Sequence, residues 1–315
     1  MILTVTLNPC LERSQFLSSP RAGAVNRAAR VATVPGGKGV NAARMAHTLG
    51  EQAVPLLPLG GETGALMARV MRENDGLEPA VVQTQAPTRL QFNLIDEAAQ
   101  SCTSYLEPGA PLIGSEIEGL LAGYHELLPQ SEFVILSGSS PCELADDVYH
   151  QMAALARPRG VRVLLDTYGR SLALGLEARP DLLKVNVPES EGLLGRRIES
   201  EADRWQALEF YRARGVETGI LTLGAEGALA LEGDERWIAR PPEVRALNPV
   251  GCGDALAAGI AVGLLRGLSF PEALRLGTAA GAASAATWFP ASARREEVEG
   301  LLEGVGVRAL KCGGG

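Results

Sequence analysis

The sequence predicts an α/β fold: a mainly parallel sheet flanked by helices on both faces, with a small additional β-sheet. Three observations carry that prediction. Aliphatic and β-branched runs recur along the chain as ILTVTL (2–7), FVILSG (133–138), VRVLLD (161–166), LLKVN (182–186) and GILTLG (219–224). Each is apolar almost throughout, as strands covered on both faces should be. Helix-like stretches such as 142–157 and 200–214 separate most of them, and strand–helix alternation builds a parallel sheet. Residues 10–34 and 86–108 break the rhythm, because RVATV, RLQFNLID and SCTSYL lie there with no helix between them. A small sheet forming a flap over a ligand and an ordinary edge extension both fit that pattern.

A chain of 315 residues, 46% of them hydrophobic, has ample material for the core of one large domain with an accessory piece. We expect that domain over residues 1–312, with the two irregular segments inserted into it and residues 313–315 as a loose tail. The net charge of −8 argues against general binding to nucleic acid or acidic membranes, while leaving room for a local basic pocket. The longest apolar runs, near 255–265 and 276–289, are rich in Ala and Gly and short for a bilayer, so they read as buried helices. The five cysteines form no C-x-x-C pair, and MILTVTLNPC at the start lacks a basic stretch. Reduced thiols in a cytoplasmic protein are the expectation. His47, His125 and His150 fall in predicted helices away from any cysteine motif, so no zinc site is legible.

In parallel sheets ligands bind at the carboxyl ends of the strands. LSGSSP, LLDTYG, KVNVPE and LTLGAEG each put small or polar residues there. GCGDALAAGIAVGLLRG (251–267) adds a turn that feeds an apolar helix. The amides of Gly251, Cys252 and Gly253, with the positive end of the helix dipole, suit charge developing on a transferred phosphoryl group. Asp254 beside them is placed to accept a proton from an attacking hydroxyl, and equally to cap the helix. VPGGKGVNAARMAHTLG (34–50) surrounds Lys38 with glycines and leads into a helix carrying Asn41. It is no P-loop, since Gly39 stands where Ser or Thr should follow the lysine, and no G-x-G-x-x-G fingerprint. It offers close backbone approach, one cation and one amide to a hydroxyl-rich ligand; a solvated turn with a surface lysine fits too.

PGGKGVNAAR and NPVGCGDALAAG, in that order and spacing, resemble the two signature regions of the ribokinase/phosphofructokinase-B family of sugar kinases. LSGSSP, DTYG, KVNVPE and LTLGAEGAL are similar to family motifs between them, and the resemblance covers about residues 1–305. TLNP (6–9), AVNRA (24–28) and TRLQF (88–92) look most like the branch acting on ketohexose monophosphates, which includes 1-phosphofructokinase and tagatose-6-phosphate kinase. The resemblance implies a ribokinase-like fold with a β-sheet lid, ATP-dependent phosphoryl transfer to a sugar hydroxyl, Mg²⁺, and a homodimer formed through the lid.

It also assigns residues. Asp254 matches the catalytic base and Gly251, Cys252 and Gly253 the anion hole. Gly37, Lys38, Asn41 and Ser137 match sugar-binding positions, joined by Glu12. Arg89 is the discriminator for a substrate phosphate, because a guanidinium fork clamps an anion and gains little from a neutral sugar. Arg27 either helps it or is a surface arginine. Lys184, Asn186 and Glu189 resemble the element beside the ATP phosphates, with Asn186 and Glu189 holding Mg²⁺ largely through water; helix capping by Asn186 is the alternative. Thr222, Gly224 and Gly227 match the nucleotide-side loop. Three positions depart from the branch: Glu12 replaces an aspartate, Gln91 an asparagine and Cys252 an alanine. Two of these lengthen side chains in the sugar pocket and none removes the base.

The acceptor is expected to be a ketohexose phosphate, with fructose 1-phosphate ahead of tagatose 6-phosphate and fructose 6-phosphate. A kinase of an unphosphorylated sugar and a non-catalytic sugar-phosphate or nucleotide sensor remain as competing readings. The intact Asp254, Asn186 and Glu189 weigh against the sensor, which has no need of base and metal elements together.

Overall fold

The computed structural model describes residues 1–310; the expected tail at 313–315, with Cys312 before it, lies outside the described residues. The strands in chain order are β1 (Ile2–Val5), β2 (Cys10–Leu17), β3 (Arg30–Gly36), β4 (Ala53–Leu59), β5 (Ala80–Gln83), β6 (Arg89–Asp96) and β7 (Ser101–Leu106). They continue as β8 (Phe133–Ser137), β9 (Arg162–Asp166), β10 (Leu182–Asn186), β11 (Thr218–Thr222), β12 (Ala228–Glu232), β13 (Glu235–Arg240) and β14 (Gly306–Leu310). The helices are α1 (Lys38–Thr48), α2 (Gly61–Val70), α3 (Gly114–Leu127), α4 (Val148–Ala156) and α5 (Gly169–Glu177). After them come α6 (Val187–Leu194), α7 (Glu201–Arg212), α8 (Cys252–Leu265), α9 (Phe270–Ala285) and α10 (Arg295–Leu301).

Ten strands form the main sheet in the order β14-β13-β12-β11-β10-β9-β8-β1-β4-β5. Pairing is parallel from β11 through β5 and antiparallel from β11 out to β14. The five apolar runs of the sequence are its central strands. Successive side chains alternate between faces: Phe133 and Ile135 enter one core with Val40, Met67, Ile260 and Leu274, while Val134 and Leu136 enter the other with Tyr124, Met152 and Leu208. With apolar contacts on both sides, these strands are apolar almost throughout, and most of their polar side chains come at the carboxyl ends. The Ala- and Gly-rich α8 and α9 lie buried together in the first core, which accounts for the long apolar runs. Among the described residues no helix is long and apolar enough to cross a membrane.

Residues 10–36 and 89–106 supply a separate four-stranded sheet in the order β3-β2-β6-β7. β2 runs parallel to β6, and β3 and β7 close the sheet antiparallel at either side. Its period-two alternation sorts polar side chains sharply. Glu12, Ser14, Gln91 and Asn93 are buried on one face, while Arg13, Gln15, Phe92 and Tyr105 stand exposed on the other. Phe16, fully buried, meets Trp288 and Phe289 edge-on at 6.1 and 5.9 Å and carries Arg30 over its ring, so the small sheet is fastened to the segment after α9.

Candidate active site

The carboxyl edge of the main sheet gathers the motifs. Register sets Ser137 beside Asp166 and Asn186 beside Thr222, at the ends of β8, β9, β10 and β11. α1 begins there directly after Gly37, which adopts φ 118°, a value open to glycine. From α1, Lys38 reaches across this edge. Its Nζ donates to Asp166 Oδ1 at 2.9 Å and to Glu189 Oε1 at 2.8 Å, and Lys184 Nζ donates to Asp166 Oδ2 at 2.6 Å. Asp166 is fully buried. Burial would raise its pKa, yet Lys184 and then Lys38 outweigh that and hold it below the usual carboxylate range. The same pairing works on Lys38: burial opposes its charge, and Asp166, Glu189 and Asp254 more than restore it, raising its pKa.

α8 starts at Cys252, because Gly251 serves as its N-cap at φ 82°. A side chain at that position would stand 2.6 Å from Pro290 Cβ, so the turn is closed to anything larger. Asp254 therefore does not cap the helix. It lies in the first turn, buried, and its Oδ2 accepts a hydrogen bond from Asn41 Nδ2 at 2.8 Å. Burial pushes its pKa up to about 6, Asp166 adds to the rise, and Lys184, Lys38 and Asn41 hold it down. A carboxylate poised there is ionised at neutral pH and still a competent proton acceptor. Among the described residues the backbone N–H groups of Gly253 and Asp254 have no hydrogen-bond partner, and Lys184 Nζ lies 2.9 Å from where a Cβ on Gly253 would stand. Free amides, a helix terminus and an ammonium converge beside the carboxylate. Burial raises the Cys252 thiol to about 11, so the helix terminus does not make it a thiolate.

Toward the small sheet, Glu12 is 3% exposed, and burial raises its pKa against the hydrogen bond from Asn93. Asn93 Nδ2 donates to Glu12 Oε2 at 2.9 Å, Gln91 Nε2 donates to Asn93 Oδ1 at 3.0 Å, and Ser104 donates to the same oxygen at 2.7 Å. Glu12 Oε1 has no partner among the described residues. Arg89 gives one N–H to Asn8 O at 3.1 Å and one to Glu107 O at 3.2 Å, while its buried Nε is unpartnered. It lines a cleft with Asn8, Pro58, Thr84, Thr88 and Glu116.

The family model of the pfkB family carbohydrate kinases matches residues 5–287, most of the chain. The chain belongs to that family. Among its relatives, the 1-phosphofructokinase of Rhodobacter capsulatus is 36% identical over 279 residues, 88% of each chain. The ATP-dependent 6-phosphofructokinase isozyme 2 of Mycobacterium tuberculosis is 32% identical over 305 residues, 96% of this chain and 89% of that one. The crystal structure of Escherichia coli phosphofructokinase-2 in complex with substrates and products superposes with a TM-score of 0.86 at 25% identity, covering 96% of this chain and 98% of that chain.

Within this pfkB fold most of the residues singled out in the sequence converge. Gly37, Lys38, Asn41, Ser137, Lys184, Glu189, Gly251, Cys252, Gly253 and Asp254 share the carboxyl edge, and Glu12 and Arg89 face it from the small sheet. Ser137 is buried with its hydroxyl unpartnered, as is Thr6. Asn186 is the N-cap of α6: its Oδ1 accepts from Glu189 N at 2.9 Å, while Glu189 Oε2 accepts from Asn186 N at 2.9 Å. Thr222 ends β11, its hydroxyl 3.4 Å from Val185 O, and Gly224 and Gly227 shape the turn into β12. Arg27 stands apart, exposed in the β2–β3 connection, with no hydrogen bond or ion pair among the described residues.

Three residues of the site carry no assignment from sequence. Asp166 ends VRVLLD, and a carboxylate directly after the apolar run Val163–Leu165 was the signal available. Asn93 lies two positions after Gln91 in an alternating strand, hence on the same face. Arg44, three positions after Asn41 on α1, is 5% exposed amid Ala42, Ala43 and Met45, where only a specific partner would retain it.

Proposed function

We propose that this protein transfers the γ-phosphate of ATP to a hydroxyl of a ketohexose monophosphate, with Asp254 as the base that takes the hydroxyl proton. The observation that carries this reading is the state of Asp254: buried, released from capping, fixed by Asn41 and raised to about 6 beside unpartnered α8 amides. Phosphoryl transfer asks little covalent chemistry of a protein, so positioning and electrostatics carry catalysis. Asn41, Glu12 Oε1 and the orphaned Ser137 hydroxyl would hold sugar hydroxyls. The free donors of Arg89 would clamp the substrate phosphate. Gly251 and Gly253, joined by the Asp254 amide and Lys184, would offset charge on the transferring group, while the Cys252 amide, expected to share that role, donates to Pro249 O at 3.4 Å; Thr222, Gly224 and Gly227 would border the nucleotide.

Both oxygens of Glu189 already hold protein donors, Lys38 and the Asn186 amide, and Asn186 Oδ1 is spent on its cap. Spare carboxylate lone pairs suit water ligands of a hydrated Mg²⁺ better than direct coordination. Bound there, the ion would neutralise charge on the ATP phosphates.

Fructose 1-phosphate is the favoured acceptor, since relatives at 36% and 34% identity carry the name 1-phosphofructokinase. Fructose 6-phosphate is the second reading, on the relative matched over 96% of this chain. The four described cysteines are unpaired, in keeping with a cytoplasmic setting. A panel of ketohexose phosphates and free sugars, assayed for ADP release with ATP and Mg²⁺, tests the proposal. Turnover on a sugar phosphate is expected, with Asp254→Asn folded and slower in kcat by roughly 10²–10⁴-fold. Tight binding without ADP release would favour the sensor reading.

A further inference from the structure

Arg44 does not face the reacting groups, yet its guanidinium is fully employed. An arginine has five N–H donors. Here Nε and one Nη2 hydrogen fork onto Asp75 Oδ1 and Oδ2 at 2.9 Å each. The second Nη2 hydrogen goes to Pro35 O at 2.7 Å, and the Nη1 pair goes to Pro290 O at 3.0 Å and Asn41 Oδ1 at 3.1 Å. Each partner bears on the site. Pro35 precedes the Gly36–Gly37 turn, Pro290 packs behind Gly251, and Asn41 holds the Asp254 carboxylate. Asp75 ends the π-helical stretch Met71–Asp75 that follows α2, and such irregular turns recur at functional sites.

We propose that Arg44, anchored by Asp75, is a positioning residue: it orients the Asn41 amide so that its N–H, and not its oxygen, meets Asp254, and it locks the glycine turn to the α8 cap. The argument is one of polarity. An asparagine side chain can be turned end for end at little steric cost. Turned over beside Arg44, Asn41 would set donor against donor there and oxygen against carboxylate at Asp254, an unfavourable contact at both ends. Lysine cannot substitute, because three donors on a point charge cannot match the Asp75 fork together with the three further directions used here. The inference rests on the reading of Asp254 as the base.

Asp254 is faced by Asp166 from β9, Lys184 from β10, Lys38 and Asn41 from α1 and Glu12 from β2, with Cys252 on its own helix. Arg44 also helps to hold down the raised Glu12 carboxyl, so the variant used keeps the positive charge; what Arg44→Lys gives up is the geometry of the Asn41, Pro35 and Pro290 contacts. The test is therefore Arg44→Lys, Asn41→Ala and the double variant, each followed by carboxyl carbon NMR titration of Asp254 and by the pH profile of kcat/KM. We expect Arg44→Lys to lower kcat/KM by about 10- to 100-fold, the loss of one charge-assisted contact, and to move the Asp254 titration upward. In the Asn41→Ala background the same substitution should add little, because Arg44 acts through Asn41. Independent, additive losses with an unmoved titration would overturn the proposal. If Arg44→Lys does not fold, Asp75→Asn takes its place, with a smaller shift in the same direction. The NMR titration needs no turnover, so a wild-type enzyme inactive on every acceptor would fail the functional reading while leaving the Arg44 result readable.

Discussion

Asn41 and Asp254 lie 213 positions apart in the chain, and the Asn41 amide donates to the Asp254 carboxylate at 2.8 Å. That bond joins the glycine-rich turn before α1 to the first turn of α8, the two halves of the proposed site. It selects which oxygen of Asp254 remains free for a substrate hydroxyl. Asn41→Ala should therefore lower kcat/KM by about 10- to 100-fold, as expected for losing a hydrogen bond to a charged group. Asn41→Asp should be worse, because a second carboxylate at that distance keeps one of the pair protonated at neutral pH. Steady-state kinetics at pH 7.5 on both variants distinguishes the two effects; equal activity of Asn41→Asp and wild type would remove Asn41 from the site.

The elevated pKa of Asp254 has consequences for both rate and stability. As a base it must be ionised, so kcat/KM should fall with unit slope below about pH 6. For stability the sign is opposite to that of a salt-bridged acid. The native state holds the Asp254 proton more tightly than the unfolded chain between about pH 4 and about 6. Stability contributed by this group is therefore present at low pH and lost as pH rises through that window. Asp254→Asn should raise Tm above wild type at pH 7.5, by about 2–4 °C for each kcal/mol relieved. The gain should shrink toward pH 4. Thermal melts across that range check it, and a lower Tm for the variant at pH 7.5 would contradict the assignment.

Much of this was legible in the sequence, for physical reasons that differ from residue to residue. The central strands read clearly because burial on both faces favours apolar runs; LLKVN became β10 without change of boundary, its one mid-strand charge, Lys184, being paired with Asp166. β12, β13 and β14 pair antiparallel near one end of the sheet, with no helix between β12 and β13, and β13 and β14 carry the mixed patterns ERWIAR and GVRAL, so the strand–helix rhythm did not expose them. The polarity of Asp254 was ambiguous because an aspartate at a helix start serves as cap or as functional group equally well. Only the placement of Gly251 in the cap position separates them. The Asp166–Lys38–Lys184 cluster was invisible because Asp166 lies 128 positions from Lys38 and 18 from Lys184, and the Arg44 hub because its Asp75 and Pro290 partners lie 31 and 246 positions away. No local spacing encodes them.

The outer face of the small sheet bears on the assembly. Phe92 and Tyr105 are cross-strand neighbours, 37% and 62% exposed, and Val31 is 51% exposed two strands away. A sheet with apolar residues on its open face and free edges at β3 and β7 invites a partner, and a second copy of the same sheet is the simplest one. We predict that the protein is a homodimer joined through these sheets, with a mass in solution twice the chain's 33.1 kDa. Phe92→Lys combined with Tyr105→Lys should yield a folded monomer, since both side chains face outward and neither supports the Glu12–Asn93 network on the opposite face. Light scattering coupled to gel filtration reads the mass, and circular dichroism verifies the fold. A wild-type monomer at tens of micromolar would refute the prediction, as would a double variant that remains dimeric.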